Sequence, residues 1–189
     1  MVQLARPILT PRLELRRFAL NDLDALTLIY EREDVNRYLY FEPRDRAATL
    51  DLLHGRLDRP ETTSDVEENV LCVAVAEREG RRLVGDFMLR WTPNEHRQGE
   101  MGGSLHPDVH GRGYAGEIYH ELLSLAFNVY GVHRVVGRCD ARNDASIRSL
   151  EKVGLHREAH LVENEFVKGE WTSEVVVAIR HSEWTTTTR

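Results

Sequence analysis

Apolar positions along this chain change period repeatedly, and each change marks a new element. Across 12–18 they alternate with charged residues, which predicts a half-exposed strand. The spacing then lengthens to Leu23, Leu26 and Tyr30, a helical repeat, with Asn21 and Asp22 ahead of it as N-cap residues. A second helix is predicted over 44–57, directly after Pro43. Residues 59–69 are polar and acidic without a period and predict a loop. Apolar runs at 71–76 and 83–91 predict two strands joined at Arg78-Glu79-Gly80, and a further strand covers 99–106. Ile118, Leu122, Leu125, Ala126 and Val129 define an amphipathic helix that stops at Gly131. After it come a strand at 132–139 and a short helix at 146–153, with Ile147 and Leu150 inward and Gly154 at its end. A hairpin closes the pattern, 158–167 with 171–179, across Lys168-Gly169.

The order is strand, two helices, three strands, helix, strand, helix, two strands. It predicts a mixed α/β (α+β) layer architecture, with helices on a predominantly antiparallel sheet. No repeat or interdomain linker interrupts it, so one domain is expected over 1–184. Thr185 to Arg189 is low-complexity and reads as a disordered tail.

Composition narrows the function. A net charge of −6 argues against a non-specific nucleic-acid binder and suits a cationic partner such as an amine. The two cysteines, Cys72 and Cys139, lack metal-ligand spacing and read as reduced thiols, which points to the cytoplasm. No apolar run reaches transmembrane length and no secretory segment opens the chain, so no membrane partner is expected. His106 and His110 are four apart, but Pro107 and the glycines put them in a loop, and no Cys/His set completes a zinc site. Asp144, Ser146 and His156 form no readable triad.

The candidate chemistry is concentrated between Glu100 and Phe127. The paired glycines Gly102 and Gly103 lie in a strand, and His110-Gly111-Arg112-Gly113-Tyr114-Ala115 precedes a helix. A strand, a glycine turn and a helix N-terminus form an anion cradle, because unpaired N–H groups point outward and glycine admits close approach. The spacing lacks the Gly-Lys-Ser/Thr of nucleotide hydrolases and the register of the dinucleotide fingerprint. A phosphorylated cofactor of another kind is expected.

His110 to Ala115 resembles the coenzyme A pyrophosphate loop of the GNAT N-acetyltransferase family, Gln/Arg-x-x-Gly-x-Gly/Ala, with His110 in place of the leading Gln/Arg. Thr10-Pro11-Arg12-Leu13-Glu14-Leu15-Arg16 resembles the first strand of the ribosomal-protein N-terminal acetyltransferase branch. Asn143-Asp144-Ala145-Ser146, with Gly154-Leu155 later, is similar to that branch's second cofactor motif, and 166–171 to its last hairpin. The matches run from Thr10 to Trp184.

The resemblance implies the acyl-coenzyme A N-acyltransferase fold and acetyl-coenzyme A as cosubstrate, with no metal. It also implies direct transfer to a small-molecule or peptide amine, and a homodimer. His110, Gly111, Arg112, Gly113, Tyr114 and Ala115 would hold the phosphates, and Asn143 and Ser146 the pantetheine arm. A backbone N–H near Ser104 or Leu105 would serve the oxyanion. Glu100 is the expected general base, or else a solvated strand-end glutamate. Leu150 stands where many members carry a tyrosine acid, so Ser146 is preferred to Ser149 as the group at sulfur; helix capping is its alternative role. Tyr38, Tyr40 and Phe41 are expected near the acceptor, with core packing the role of at least one of them, and Glu67 and Glu68 as an acidic attractor or a solvated loop. Another acyl group such as succinyl, a coenzyme A sensor without turnover, and an interaction module with a vestigial pocket stay open.

Overall fold

The computed structural model describes Leu4 and residues 6–57, 69–92 and 95–184. Most of the expected acidic loop, including Glu67 and Glu68, and the tail at 185–189 lie outside the described residues.

Eight strands form one sheet: β1 (Ile8–Leu9), β2 (Leu13–Arg16), β3 (Asn69–Glu77), β4 (Leu83–Trp91), β5 (Gln98–Leu105), β6 (Arg134–Asp140), β7 (His156–Val167) and β8 (Glu170–Arg180). Their order is β1-β2-β3-β4-β5-β6-β8-β7. All neighbours are antiparallel except β5 and β6, which are parallel. The helices are α1 (Leu23–Tyr30), α2 (Glu33–Asn36), α3 (Arg46–Leu57), α4 (Tyr114–Ser124) and α5 (Asp144–Lys152). Among the described residues, no helix is long and apolar enough to cross a membrane.

Side chains alternate across a strand, so the sheet has two apolar faces. One carries Val73, Val75, Phe87, Leu89, Met101, Val135, Val175 and Val177, buried under α4 and α5. The other carries Ala74 and Cys72 and is covered by Leu23, Leu26, Tyr30 and Leu53 of α1 and α3.

The structure adds what periodicity does not signal. These are the two-residue β1, the single-turn α2, and a 3-10 turn at Pro107–Val109 whose buried Val109 anchors the glycine loop. Asp22 does not cap α1. Its carboxylate accepts from the Ala19 amide at 2.8 Å and pairs with both terminal nitrogens of Arg16 at 2.7 and 2.8 Å. Helix α5 begins at Asp144, two residues earlier than expected, because Asn143 is its cap. The closing turn matches expectation: Lys168 and Gly169 both take positive φ, as a two-residue hairpin loop requires.

Candidate active site

β5 and β6 share only three registered pairs, Gln98 with Arg134, Gly99 with Val135 and Glu100 with Val136. Beyond Glu100 the two strands are not paired, leaving a gap in the middle of the sheet. The 11-residue helix α4 starts after β5 and α5 starts after β6, so the gap is flanked by both N-termini.

The backbone of β5 faces two ways. Asp86 pairs with Ser104 across β4, and the His106 amide donates to the Val84 carbonyl at 2.8 Å. By strand alternation, the N–H groups of Glu100, Gly102 and Ser104 turn to β4 and those of Met101, Gly103 and Leu105 turn the other way; the Glu100–Val136 pair engages the Met101 amide with β6, leaving those of Gly103 and Leu105 to the gap. Of the two expected oxyanion donors, Leu105 faces the gap and Ser104 does not. The Ser104 side chain lies on the α1/α3 face, beside Tyr30 and Asp86.

Gly111 and Gly113 take φ of +75° and +79°, a conformation costly for other residues. A Cβ on Gly111 would project into open space, and one on Gly113 would meet only the Arg12 guanidinium at 3.6 Å. The first intrahelical acceptor here is the Gly113 carbonyl, which receives the Glu117 amide at 3.3 Å. The amides of Tyr114, Ala115 and Gly116 are therefore the unpaired donors of a helix start, with positive potential to match. This cradle fits a pyrophosphate. Arg112 stands half exposed beside it, 3.5 Å from Glu77, and the buried Tyr114 donates its hydroxyl to the same carboxylate at 3.0 Å. His110 turns back instead of outward: its Nε2 donates to the Leu105 carbonyl at 3.0 Å.

At the other edge, the Asn143 side chain accepts the Ser146 amide at 3.1 Å. Asn143 is thus the helix cap, and the Ser146 hydroxyl is not engaged in capping. It lies 3.3 Å from Cys139 Sγ. Ser149 is withdrawn, donating to the Ala145 carbonyl at 2.8 Å. Leu150 is buried, its methyl group 2.6 Å from where a Cβ on Gly137 would sit.

On the α1/α3 face, Glu100 Oε2 accepts from Arg90 at 2.7 Å and lies 3.6 Å from Arg138 Nε. No described residue bonds to its Oε1. Arg138 donates to Glu174 at 2.7 Å, and the other Glu174 oxygen accepts from Tyr40 at 2.9 Å. Burial, with Glu174 beside it, pushes the Tyr40 phenol up, so it stays a neutral donor. Between Glu100 and Ser104, Gly102 has nothing within 4 Å of a would-be Cβ, which marks an open floor. Of the expected aromatics, Tyr40 joins the Glu100 network, through Glu174 and Arg138. Phe41 packs on Tyr30 at 5.8 Å, and Tyr38 sits under Arg37.

Two pairs here carry no sequence signal of their role: Arg12 with Glu117, and Arg138 with Glu174. Asp86 is the exception. A charge inside the apolar run 83–91 is visible in the sequence, and the structure gives it Tyr30 at 2.9 Å and Arg56 at 3.1 Å.

Comparison with known proteins agrees with this geometry. Residues 12–156 match the model of the acetyltransferase (GNAT) domain. The uncharacterized N-acetyltransferase YnaD of Bacillus subtilis is 26% identical over 180 residues, covering 94% of this chain and 98% of that one. Spermidine N(1)-acetyltransferase of Vibrio cholerae is 22% identical over 160 residues, 85% of this chain and 88% of that one. A GNAT-family acetyltransferase structure from Bacillus anthracis superposes with a TM-score of 0.80 at 23% identity, covering 94% and 100% of the two chains. The Vibrio cholerae spermidine acetyltransferase, solved with coenzyme A and spermine, gives 0.74 at 22%, covering 92% and 98%. With its split sheet, its glycine cradle and a domain match over most of its length, the chain belongs to the GNAT family of acetyl-coenzyme A-dependent N-acetyltransferases.

Proposed function

We propose that this transferase binds the coenzyme in the β5/β6 gap and acetylates a primary amine entering from the α1/α3 face. The observation that carries the reading is the gap itself: an anion cradle at one end, unpaired strand amides along one side, and a carboxylate over an open floor at its apex. Gly111 to Ala115, with Arg112, would hold the pyrophosphate; Leu105 and Asn143 would hold the pantetheine arm. The coenzyme supplies an activated thioester carbonyl when bound. Glu100 Oε1 takes the ammonium proton, directly or through a water. The Gly103 and Leu105 amides are the oxyanion donors on offer. Ser146 lies on the α4/α5 side of the gap, where it is the candidate donor to the leaving sulfur.

The acceptor is a small-molecule or peptide amine. The polyamine named for the Vibrio cholerae relative makes that class the first to test. A second reading concerns the acyl group. Arg90 and Arg138 stand beside Glu100, so an acidic chain such as succinyl would find cations there. The reading also includes a single domain over 1–184, a homodimer and a cytoplasmic setting. In support, the exposed Val162, Phe166 and Trp171 on the β7/β8 hairpin suit a second copy, and Cys72 and Cys139 are not joined in a disulfide.

The test is thermal stability with and without acetyl-coenzyme A, with Gly113→Trp as control. A ligand at about 100 times its dissociation constant adds roughly 2.7 kcal/mol. An upward shift in the wild type alone supports the site and opens an amine screen with acetyl- and succinyl-coenzyme A in parallel. No shift at saturation overturns the binding site.

A further inference from the structure

A cavity of about 690 Å³ opens at the β1/β2 edge of the sheet. Its floor includes Ala76 of β3, paired in register with Glu14 of β2. The β3/β4 ladder shifts register between Val75 and Ala76 at this point. Bulges of this kind re-aim side chains and are frequent beside functional sites. Leu4, Pro7 and Phe18 give the cavity apolar walls, and its volume lies in the range of pockets that hold small molecules.

Four arginines line it, in a protein whose net charge is −6. Arg16 is already engaged, with both terminal nitrogens on Asp22. The other three have guanidinium nitrogens to spare. Arg17 gives only its Nε, to the Leu4 carbonyl at 2.9 Å. Arg81 meets Glu14 at 4.0 Å, with its own side chain 80% exposed. Arg6 bonds to no described residue. Arg81 also holds φ at +54°, where glycine or asparagine is the less costly residue. Three guanidiniums thus face one carboxylate in a concave, partly apolar site, which focuses positive potential there.

We propose that this cavity binds a small organic phosphate ester, its phosphate held by Arg6, Arg17 and Arg81 and its carbon body against Leu4, Pro7 and Phe18. A guanidinium fork matches phosphate oxygens two at a time, and a phosphate monoester carries nearly two negative charges at neutral pH. The site is separate from the coenzyme cradle. Leu13, Leu15 and Val75 point into the core under α4 and α5, so Glu14, Arg16 and Ala76 lie on the opposite face of the sheet. Glu77, the next residue after Ala76, faces the cradle and holds Arg112 and Tyr114 there. The cavity is separate from the Glu100 floor as well, since β3 and β4 lie between β2 and β5, about 14 Å of sheet.

The test titrates isotope-labelled protein with phenyl phosphate and follows the backbone amides by NMR. Ionic strength is held at about 0.15 M to screen loose surface binding. One arm has no coenzyme A and a second has it at saturation. Saturable shifts are expected at 14–19 and 76–81 in both arms, and inorganic phosphate should bind at least about tenfold more weakly for want of a carbon body. Arg6→Ala and Arg81→Ala, at exposed positions outside the core, should each weaken phenyl phosphate about tenfold, and Arg81→Glu by more. Arg157→Ala, on β7 at the opposite edge of the sheet, should bind as wild type. Absence of saturable shifts overturns the inference, as does wild-type binding in both alanine variants or an equal loss in Arg157→Ala. Equal affinity for inorganic phosphate overturns the ester reading, and displacement by coenzyme A overturns a separate site. The first arm needs no coenzyme, so its result stands whether or not the coenzyme site does.

Discussion

Arg12 of β2 grips Glu117 of α4 across 105 positions of sequence, with Nε at 2.8 Å and Nη2 at 2.7 Å from Oε2. The remaining nitrogen, Nη1, donates to the Arg112 carbonyl at 2.7 Å, inside the glycine loop. One planar guanidinium therefore ties a strand, a helix start and the cradle together. The Thr10 hydroxyl and the Arg12 amide bind the other Glu117 oxygen. The cradle's shape is thus held from outside the cofactor motif.

Arg12→Ala should weaken coenzyme binding about tenfold while changing stability by under about 1 kcal/mol, since the pair is partly exposed. Arg12→Lys should recover little, because a point charge cannot span both partners. Calorimetric titration with coenzyme A checks this; an unchanged dissociation constant in Arg12→Ala would show the clamp to be idle. The clamp also has a pH signature. Burial alone would raise the Glu117 carboxyl, but hydrogen bonds from Thr10 and Arg12 outweigh it and hold the group below its ordinary 4.5. A depressed carboxyl contributes its stability in full above the unfolded value and loses it as pH falls through the folded one. Coenzyme affinity and clamp stability should therefore be flat at neutral pH and fall together below about pH 4.5. In Arg12→Ala that acid limb should be shallower.

Neighbouring glycines on β5 give opposite expectations. A Cβ on Gly103 would lie 2.4 Å from the Phe87 ring and 2.5 Å from the Asp86 carbonyl, with no flexible end to yield. Gly103→Ala should cost about 1–3 kcal/mol by overpacking. Gly102→Ala meets nothing within 4 Å, so its stability should stay within about 0.5 kcal/mol of wild type. If amine and thioester meet above that floor, turnover should fall in Gly102→Ala nonetheless. Urea midpoints separate the first pair, and steady-state rates test the last point. Full activity in a Gly102→Val protein would remove this floor from the acceptor path.

What the sequence discloses about this site follows from whether the cause is local. The cradle was legible because a helix start and its glycines are contiguous, and the motif carries its own geometry. The sheet's antiparallel character and the closing hairpin were legible from period and turn chemistry. The Arg12 clamp was not, since it joins residues 105 apart and an arginine in an alternating strand reads as a solvent-facing charge. The two roles left open for Ser146 are narrowed by Asn143, which takes the cap and leaves the serine hydroxyl for another use.

Asp86 should behave as a buried charge with one essential partner. Its side chain is 1% exposed, and its Oδ2 serves both Arg56 and Tyr30. Asp86→Ala strands the Arg56 guanidinium, 15% exposed and held also by Cys72 at 2.9 Å. Removing one partner of a buried pair costs about 3–5 kcal/mol. The double variant Asp86→Leu/Arg56→Met leaves no orphan charge and should recover most of that loss. Denaturation midpoints decide it: a double variant as unstable as the single would point to lost packing, not to an unpaired cation.

Glu100→Gln separates catalysis from binding at the apex of the gap. The amide oxygen can still accept from Arg90, so the local geometry should survive, and the glutamate lies away from the cradle that holds the phosphates. Coenzyme affinity should therefore stay near wild type. Proton removal should not survive, because an amide is no base at neutral pH, and turnover on any amine that the screen identifies should fall about 100- to 10,000-fold. The pH profile adds a second criterion. If Glu100 removes the proton, raising the pH supplies neutral amine without it, and the deficit of Glu100→Gln should shrink toward the amine's own ionisation. A deficit constant across pH would mean that Glu100 orients Arg90 and Arg138 for the acyl chain or the acceptor. A variant with wild-type turnover would place the base elsewhere on the α1/α3 face, where Glu174, tied to Arg138 and Tyr40, is the next carboxylate to change.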